Sequence, residues 1–163
     1  MSEAAGDFPR HRPNVGVVLI NRDGLVWYGR RRGQGGPHSW QFPQGGVDPH
    51  EEAAGAYEYA ARRELREETG VTSVEYLAST EGWIAYDFPA EILGRGKWRG
   101  QKQIWFAYRF TGEDAEVDLK AYPPIEFDAW RWGRLAEAPE LIVPFKRPAY
   151  ERVVEAFGHL AAD

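Results

Sequence analysis

Residues 63–71 read Arg63-Glu64-Leu65-Arg66-Glu67-Glu68-Thr69-Gly70-Val71, and residues 43–46, shortly before them, read Pro43-Gln44-Gly45-Gly46. Successive residues of an α-helix advance by about 100°, so a helix over this stretch places Glu64, Glu67 and Glu68 on one side. Small and apolar side chains of the preceding turns fall on the same side, whereas the arginines at 62, 63 and 66 fall on the other. We therefore predict that the carboxylate side faces the protein body and the arginine side faces solvent.

Three inward carboxylates cannot remain ionised in the protein body without compensation. Mg²⁺ provides it, because this cation binds carboxylate oxygens and keeps coordination sites open for water and phosphate. A stretch rich in glutamate and arginine is more commonly a solvated helix face with ion pairs four residues apart, and Glu58 with Arg62 is such a pair. The metal-binding interpretation is favoured here because the three carboxylates lie on the alanine side of the helix. Gly70 is of the residue type that ends helices.

The composition is typical of a globular protein, since 43% of the 163 residues are hydrophobic. This length indicates one domain over residues 1–163, and we expect residues 1–8 to be disordered. The absence of cysteine excludes disulfides and fits a reducing compartment. The longest apolar run, residues 15–20, is too short to span a bilayer, and the polar start does not resemble a secretory signal. We expect a cytoplasmic protein with no membrane partner, either a monomer or a weak homo-oligomer.

The net charge of −5 argues against broad nonspecific affinity for nucleic acids. The cationic side chains are nevertheless clustered, at residues 10–12, 30–32, 95–102 and 146–147. Each cluster by itself is compatible with ordinary solvated surface. Beside an acidic metal site, we interpret the clusters as a local rim that binds phosphate, because phosphate oxygens need charged donors.

Hydrophobic patterning predicts short strands interleaved with two helices. The predicted strands are residues 14–20, 25–31, 39–42, 74–80, 83–88, 103–110 and 127–132. Asp23-Gly24 between the first two strands favours a hairpin. The predicted helices cover about residues 51–69 and 148–160, residues 90–100 form a basic loop, and residues 111–126 form an acidic irregular segment. This order predicts the α/β class, with a mixed central β-sheet covered by helices on both faces.

The stretch from Gly45 to Val71 resembles the Nudix box of hydrolases that act on nucleoside diphosphates linked to another group. The box reads Gly, five residues, Glu, seven residues, and then Arg-Glu-apolar-any-Glu-Glu-any-Gly-apolar. Residues 63–71 match its second half in full, and Gly45 with Glu51 matches its first half. Eleven residues separate Glu51 from Arg63, where the family has seven, so we expect the helix to begin one turn earlier. Glu51 or Glu52 then takes the role of the first glutamate.

Further segments resemble one Nudix subfamily, the RNA pyrophosphohydrolases and asymmetric diadenosine tetraphosphate hydrolases of bacteria and plants. They follow the order of the subfamily across nearly the whole chain and are residues 12–16, 39–46, 100–103, 126–132 and 143–147. This resemblance implies the α/β/α sandwich of the Nudix fold and an enzyme that hydrolyses phosphoanhydride bonds. The expected cofactor is Mg²⁺, for which Mn²⁺ can substitute.

Hydrolysis of a phosphoanhydride requires metal ions that neutralise phosphate oxygens and make water a better nucleophile. The metal ligands that we predict are Gly45, Glu64, Glu67, Glu68 and Glu126. Glu126 is included because it matches the distal metal-binding glutamate of the subfamily. The four glutamates are also the predicted catalytic residues, and the sequence leaves open whether Glu67, Glu68 or Glu126 orients or deprotonates the water.

The remaining predicted site residues bind substrate or support the box. Arg63 is expected to anchor the loop by pairing with Glu51 or Glu52, and Gly70 is expected to be structural. The candidates for phosphate binding are Arg12, Arg31, Ser39, Gln101, Lys102 and Lys146. Phe145 resembles the subfamily residue that stacks on a base, and a core position next to the last helix is its alternative.

The leading functional hypothesis is a Mg²⁺-dependent RNA pyrophosphohydrolase that converts a 5′-triphosphate RNA end to a 5′-monophosphate and releases pyrophosphate. The alternative is an asymmetric dinucleoside polyphosphate hydrolase that acts on diadenosine tetraphosphate. The altered box spacing motivates another alternative, a weakly active module that binds nucleotides or RNA 5′ ends. A hydrolase of damaged nucleoside triphosphates is a further possibility. The expected partners are therefore RNA 5′ ends or dinucleoside polyphosphates, as substrates.

Overall fold

The computed structural model describes residues 8–93 and 96–162. The expectation of disorder over residues 1–8 therefore falls outside the described residues except at Phe8, and Arg95 of the predicted basic loop also lies outside them. The Phe8 carbonyl accepts a hydrogen bond from the His11 backbone N–H at 3.1 Å, and the two rings pack edge to face.

In the described part of the chain, eight strands form one mixed sheet, which confirms the predicted α/β class. They are β1 (His11–Ile20), β2 (Val26–Arg31), β3 (Trp40–Gln41), β4 (Gln44–Gly46), β5 (Val74–Ser79), β6 (Ile84–Asp87), β7 (Gly100–Phe110) and β8 (Phe127–Gly133). β1 is central, because it pairs in parallel with β7 along one edge and antiparallel with β4 and β2 along the other. β7 also pairs with β5 and β6, whereas β2 pairs with β3 and β8.

The predicted hairpin between β1 and β2 is confirmed by the antiparallel pairing of Ile20 with Val26. The Asn21 side-chain oxygen accepts hydrogen bonds from the backbone N–H groups of Asp23 and Leu25, at 2.9 and 3.0 Å. Gly24 has a φ of +80°, in the left-handed region that glycine enters without steric cost.

The helix predicted over residues 51–69 is instead two helices, α1 (Pro49–Ala54) and α2 (Tyr57–Thr69). Gly55 separates them with a φ of +66°, a conformation that ends a helix and that no α-helical residue adopts. The prediction of one continuous helix is therefore wrong, because the extra residues of the spacer fold into a separate short helix. α2 ends at Gly70, as predicted, with the Gly70 N–H bonded to the Arg66 carbonyl.

Three more α-helices lie in the described part of the chain: α3 (Ala90–Leu93), α4 (Ala138–Leu141) and α5 (Arg147–Phe157). α3 lies within residues 90–100, which were predicted to be a loop. α5 begins and ends close to the bounds predicted for the last helix. The helices among residues 8–93 and 96–162 are too short or too polar to cross a bilayer.

The alternation of side chains along β1 gives the sheet two buried faces. Val15, Val17 and Leu19 share one apolar cluster with the buried side of α2. Val18 and Ile20 share the other with the buried side of α5. The sheet therefore lies between two helical layers, the predicted α/β/α sandwich, and the start of β1 and β4 lies at the edge where α2 presents its carboxylates.

Candidate active site

α2 presents its carboxylates to a cleft of about 450 Å³, as its spacing predicted. The cleft is lined by Glu64, Glu67, Glu68, Glu126 and the segment 121–124. Glu68 is 7% exposed, and the side chains of Glu64 and Glu67 are 12% and 42% exposed. The carboxylate side of α2 therefore faces the protein body at Glu64 and Glu68 and opens toward solvent at Glu67.

Glu64 and Glu68 form an electrostatically strained pair. Burial raises the pKa of Glu64, and burial followed by the Glu64 charge raises the pKa of Glu68 well above its usual range. The charge of Glu126 acts on Glu68 in the same direction. Glu68 acts to lower the pKa of Glu64, whereas Glu64 acts to raise the pKa of Glu68, as expected for two carboxyl groups that share one proton. A divalent cation that replaced this proton would relieve the repulsion.

Gly45 provides space for the Glu64 carboxylate. A Cβ at residue 45 would overlap both carboxylate oxygens of Glu64. The neighbouring Gln44 backbone N–H donates to the Glu68 carboxylate at 3.2 Å. β4 therefore contacts the Glu64 and Glu68 carboxylates through its backbone.

Arg63 is the centre of an ion-pair network and does not face solvent as the helical projection predicted. Its side chain is 14% exposed. It donates to Glu51 at 2.8 Å, and to Glu64 and Glu67 at 3.0 Å. It also donates to the Gly46 carbonyl at 3.1 Å. The prediction of an exposed Arg63 is wrong, because the long side chain turns back toward these acceptors.

The geometry selects Glu51 over Glu52 as the partner of Arg63. Glu51 is 1% exposed, and its carboxylate also accepts the Asp48 backbone N–H at 2.9 Å. The Arg63 guanidinium is the main cause that lowers the pKa of Glu51. Glu52 is exposed. Of the two candidates, Glu51 is therefore the one that pairs with Arg63, despite the longer spacer.

A group of three potential metal ligands lies at the start of α1, where atoms of Asp48, His50 and Glu51 are all within 4.8 Å of one another. Glu51 is engaged there by Arg63, which supplies the compensating positive charge. Among the described residues, no three of the cleft carboxylates converge this closely.

The wall of the cleft opposite α2 is held by contacts near the end of that helix. The Glu116 carboxylate accepts the backbone N–H groups of Thr72 and Ser73 at 2.8 and 2.9 Å. The Asp118 N–H donates to the Thr69 carbonyl at 2.8 Å. Farther along, the Glu126 carbonyl accepts the Arg32 N–H at 2.9 Å. The segment that carries Glu126 is therefore tethered at both ends.

Cationic groups approach the carboxylates from the α5 side of the sheet. Lys146 is buried, with its ammonium 5.7 Å from the centre of the Tyr86 ring and 5.9 Å from that of Phe145. Burial lowers the pKa of Lys146 to about 8; the Arg31 charge acts in the same direction and the Glu68 charge in the opposite one. Lys146 therefore lies within electrostatic range of both Arg31 and Glu68. Phe145 is half-buried, and its ring is 5.9 Å from that of Tyr86.

Other predicted substrate-binding residues lie in different places. The Gln101 side chain accepts a hydrogen bond from the Tyr86 hydroxyl, near Phe145 and Lys146. Arg12 and Lys102 line a separate groove, where the Lys102 ammonium is 4.7 Å from the centre of the Trp83 ring. Ser39 is buried, and its hydroxyl donates to the Gly36 carbonyl at 3.0 Å.

Sequence reasoning missed the side chains of Gln44, Tyr86 and Gln103 as parts of the site. Gln103 is fully buried and donates to Asn14 at 2.9 Å and to Gln44 at 3.2 Å. A buried glutamine inside an otherwise apolar strand pattern was the available signal, because such a group must be hydrogen-bonded.

Solved structures share this fold. The structure superposes with Escherichia coli dihydroneopterin triphosphate pyrophosphohydrolase at a TM-score of 0.67 and 19% identity, covering 90% of this chain and 98% of that one. A Caenorhabditis elegans Ap4A hydrolase complex gives a TM-score of 0.63 at 18% identity, covering 91% and 98%. These identities are low, so the similarity concerns the fold alone.

Other proteins are much more similar to this chain in sequence than these solved structures are. An RNA pyrophosphohydrolase of Caulobacter vibrioides is 66% identical over 159 residues, covering 95% of this chain and 90% of the relative. That of Rhodopseudomonas palustris strain HaA2 is 52% identical over 164 residues, covering 95% of both chains. The NUDIX domain matches residues 10–153. This chain, with its carboxylate-lined cleft beside a glycine-rich strand, belongs to the Nudix family.

Proposed function

We propose that this protein is a Mg²⁺-dependent RNA pyrophosphohydrolase that converts 5′-triphosphate RNA ends to 5′-monophosphate ends and releases pyrophosphate. The observation that carries the proposal is the position of buried Lys146 within electrostatic range of both Arg31 and Glu68. Cations that would bind phosphate thereby lie near the carboxylates that would hold the metal, the combination that hydrolysis of a phosphoanhydride requires. The names of the relatives that cover nearly the whole chain support this substrate.

The metal would be held by the carboxylates of Glu64, Glu67, Glu68 and Glu126 with the Gly45 carbonyl. Two features support this assignment: the raised pKa values of Glu64 and Glu68, and the space that Gly45 leaves for the Glu64 carboxylate. When bound, Mg²⁺ would neutralise phosphate oxygens and lower the pKa of a coordinated water. Mn²⁺ can substitute, because it accepts the same oxygen ligands.

The protein's own groups bind and orient the substrate. Lys146 and Arg31 supply positive charge to the phosphate chain, and the ion pairs with Arg63 hold Glu64 and Glu67 in place. A carboxylate in this cleft takes the proton of the attacking water, and Glu67 and Glu126 are the more exposed candidates. The ring of Phe145 provides a face on which a base can stack, a contact worth about 1–3 kcal/mol that tolerates several bases.

Asymmetric hydrolysis of dinucleoside polyphosphates is the second candidate function. Half-buried Phe145 favours it, because a single aromatic platform does not require a polynucleotide. Incubation with Mg²⁺ and equal concentrations of triphosphorylated oligonucleotide and diadenosine tetraphosphate separates the two. We expect 5′-monophosphate RNA and pyrophosphate to form faster than the products of diadenosine tetraphosphate cleavage. Efficient cleavage of the dinucleotide with no monophosphate RNA would assign the second function.

A Glu68→Gln variant separates an enzyme from a module that only binds RNA ends or nucleotides. We expect its kcat to fall by about 10²-fold or more, the size seen when a major electrostatic contribution is removed. Glu75→Gln, on the exposed surface of β5, is the matched control and should retain the rate. Equally slow turnover by the wild type, Glu68→Gln and Glu75→Gln would favour the module that only binds.

We also propose that the protein acts in the cytoplasm as a monomer or weak homo-oligomer. The chain contains no cysteine, so an oxidising compartment would provide it with no disulfide bond. Sedimentation equilibrium over a hundredfold concentration range tests the assembly state, and a stable oligomer at the lowest concentration would contradict it.

A further inference from the structure

An aromatic side chain in the wall of the carboxylate cleft has no part in the proposed reaction. Tyr122 lines this cleft together with Glu64, Glu67, Glu68 and Glu126, and it is 44% exposed. A single exposed ring on a protein surface needs no explanation. This ring, however, borders a cleft of about 450 Å³, which is large enough to hold part of an organic ligand.

The segment that carries Tyr122 is restrained on both sides of it. Before it, the Asp118 N–H donates to the Thr69 carbonyl at 2.8 Å, which fastens the segment to the end of α2. After it come Pro123 and Pro124, whose rings fix their own φ angles and restrict the residue before each of them. A ligand that stacks on Tyr122 therefore has little backbone left to order.

Arg66 packs against the same ring from α2. Its guanidinium carbon lies 5.8 Å from the centre of the Tyr122 ring, within the range of a cation–π contact. Arg62 and Arg63 of the same helix pair with carboxylates, whereas Arg66 makes no ion pair in the part of the chain that the structure describes. An aromatic surface and an available positive charge thus lie together beside the carboxylates, a combination that suits a nucleotide.

Tyr122 and Phe145 are associated with opposite faces of the sheet. Phe145 packs against the apolar cluster that contains the buried side of α5. Tyr122 contacts Arg66 of α2, and the buried side of α2 belongs to the cluster on the other face. The two rings therefore offer two separate surfaces for bases.

We propose that Tyr122 stacks on the second base of a dinucleoside polyphosphate, the base at the other end of the phosphate chain from Phe145, and thereby determines how well such molecules bind. A 5′-triphosphate RNA end has no base beyond its terminal phosphate and leaves Tyr122 uncovered. A dinucleoside polyphosphate has a base at each end and covers both rings. This inference rests on the proposed function in placing the phosphate chain across the carboxylates, with the RNA nucleoside at Phe145.

Binding of two analogues that the enzyme does not cleave tests the assignment. One is diadenosine tetraphosphate with methylene groups in place of its bridging oxygens, and the other is the corresponding analogue of adenosine triphosphate, which has a single base. Calorimetry in the presence of Mg²⁺ measures both Kd values. We expect Tyr122→Ala to raise the Kd of the two-base analogue about fivefold or more, the lower limit for the loss of one stacked base. The Kd of the one-base analogue should stay within about twofold of the wild-type value, because that analogue does not reach Tyr122.

Two further variants show whether the ring itself is responsible. Tyr122→Phe keeps the ring and removes the hydroxyl, so it should bind both analogues as the wild type does. Tyr59→Ala is the matched control, because Tyr59 is 62% exposed on α2 but lies outside the cleft, and both Kd values should be unchanged. Thermal unfolding shows whether Tyr122→Ala is folded. Tyr122→Leu, which keeps a bulky side chain without an aromatic face, replaces it if it is not.

An equal loss of affinity for both analogues in Tyr122→Ala would overturn the proposal, because Tyr122 would then support the cleft or the first base. Unchanged binding of the two-base analogue by Tyr122→Ala, or an equal loss in Tyr122→Phe or Tyr59→Ala, would overturn it as well. So would a wild type that binds the two-base analogue no more tightly than the one-base analogue. Failure of the wild type to form 5′-monophosphate RNA would instead contradict the proposed function, and the Kd values would still decide the role of Tyr122.

Discussion

Gly45 and Glu64 occupy complementary space, since a Cβ at residue 45 would overlap the Glu64 carboxylate. The close approach places a strand backbone against a carboxylate whose pKa is raised by burial. The Gln44 N–H contacts Glu68 from the same strand. β4 is thus the surface against which two carboxylates of α2 are positioned, and any side chain at residue 45 must displace one of them.

Gly45→Ala should therefore impair metal binding more than folding. We expect at least a tenfold higher Mg²⁺ concentration for half-maximal rate, because Glu64 must leave its position, a change equivalent to about 1.4 kcal/mol or more. Mg²⁺ titrations of the rate measure it. Gly158→Ala is the control, because nothing lies within 4 Å of its added Cβ and its φ is −54°. Equal Mg²⁺ dependence in both variants would show that this contact is unimportant.

Glu51 and Glu52 are adjacent carboxylates with opposite environments, which makes them a matched pair. Glu51→Gln removes the buried charge that Arg63 contacts twice, so we expect a loss of about 3–5 kcal/mol in the free energy of unfolding. Glu52→Gln, at an exposed position, should change it by less than about 0.5 kcal/mol. Urea denaturation measures both, and similar losses would contradict the special importance of the Glu51–Arg63 pair for stability.

The sequence predicted the carboxylate cleft because helical periodicity is local. Glu64 and Glu68 lie one turn apart, so their common side follows from the geometry of α2 alone. The two buried faces of β1 follow in the same way from alternation. These parts of the fold and site depend on a repeat within a single segment.

The parts that the sequence did not predict depend on contacts between distant segments. A glycine within a helical pattern can be tolerated or can end the helix, and the ion pair between Glu51 and Arg63 is compatible with the break at Gly55. A helical projection does not include the reach of the long Arg63 side chain. Gln103 meets Gln44 only after β7, β1 and β4 have paired, so its role has no local pattern.

Lys146 should make substrate binding depend on pH, because burial lowers its pKa to about 8. KM is expected to rise as the pH increases through 8 and the ammonium loses its proton. Binding should thus weaken, whereas stability should increase: the free energy of unfolding should rise between about pH 8 and 10.5, where the unfolded state binds more protons. Lys146→Arg stays charged and should flatten both profiles, measured by initial rates and urea denaturation. An unchanged pH dependence in that variant would exclude Lys146 as its source.

Glu116 should control the position of Glu126 although it lies outside the cleft lining. Its carboxylate holds the Thr72 and Ser73 backbone, and its loss leaves two N–H groups without an acceptor. Glu116→Ala should cost about 1–3 kcal/mol of stability and raise the Mg²⁺ concentration for half-maximal rate. Glu113→Ala, exposed in the same segment, should do neither. A Glu116→Ala protein that melts earlier but keeps the wild-type Mg²⁺ dependence would show that the tether supports the fold without positioning Glu126.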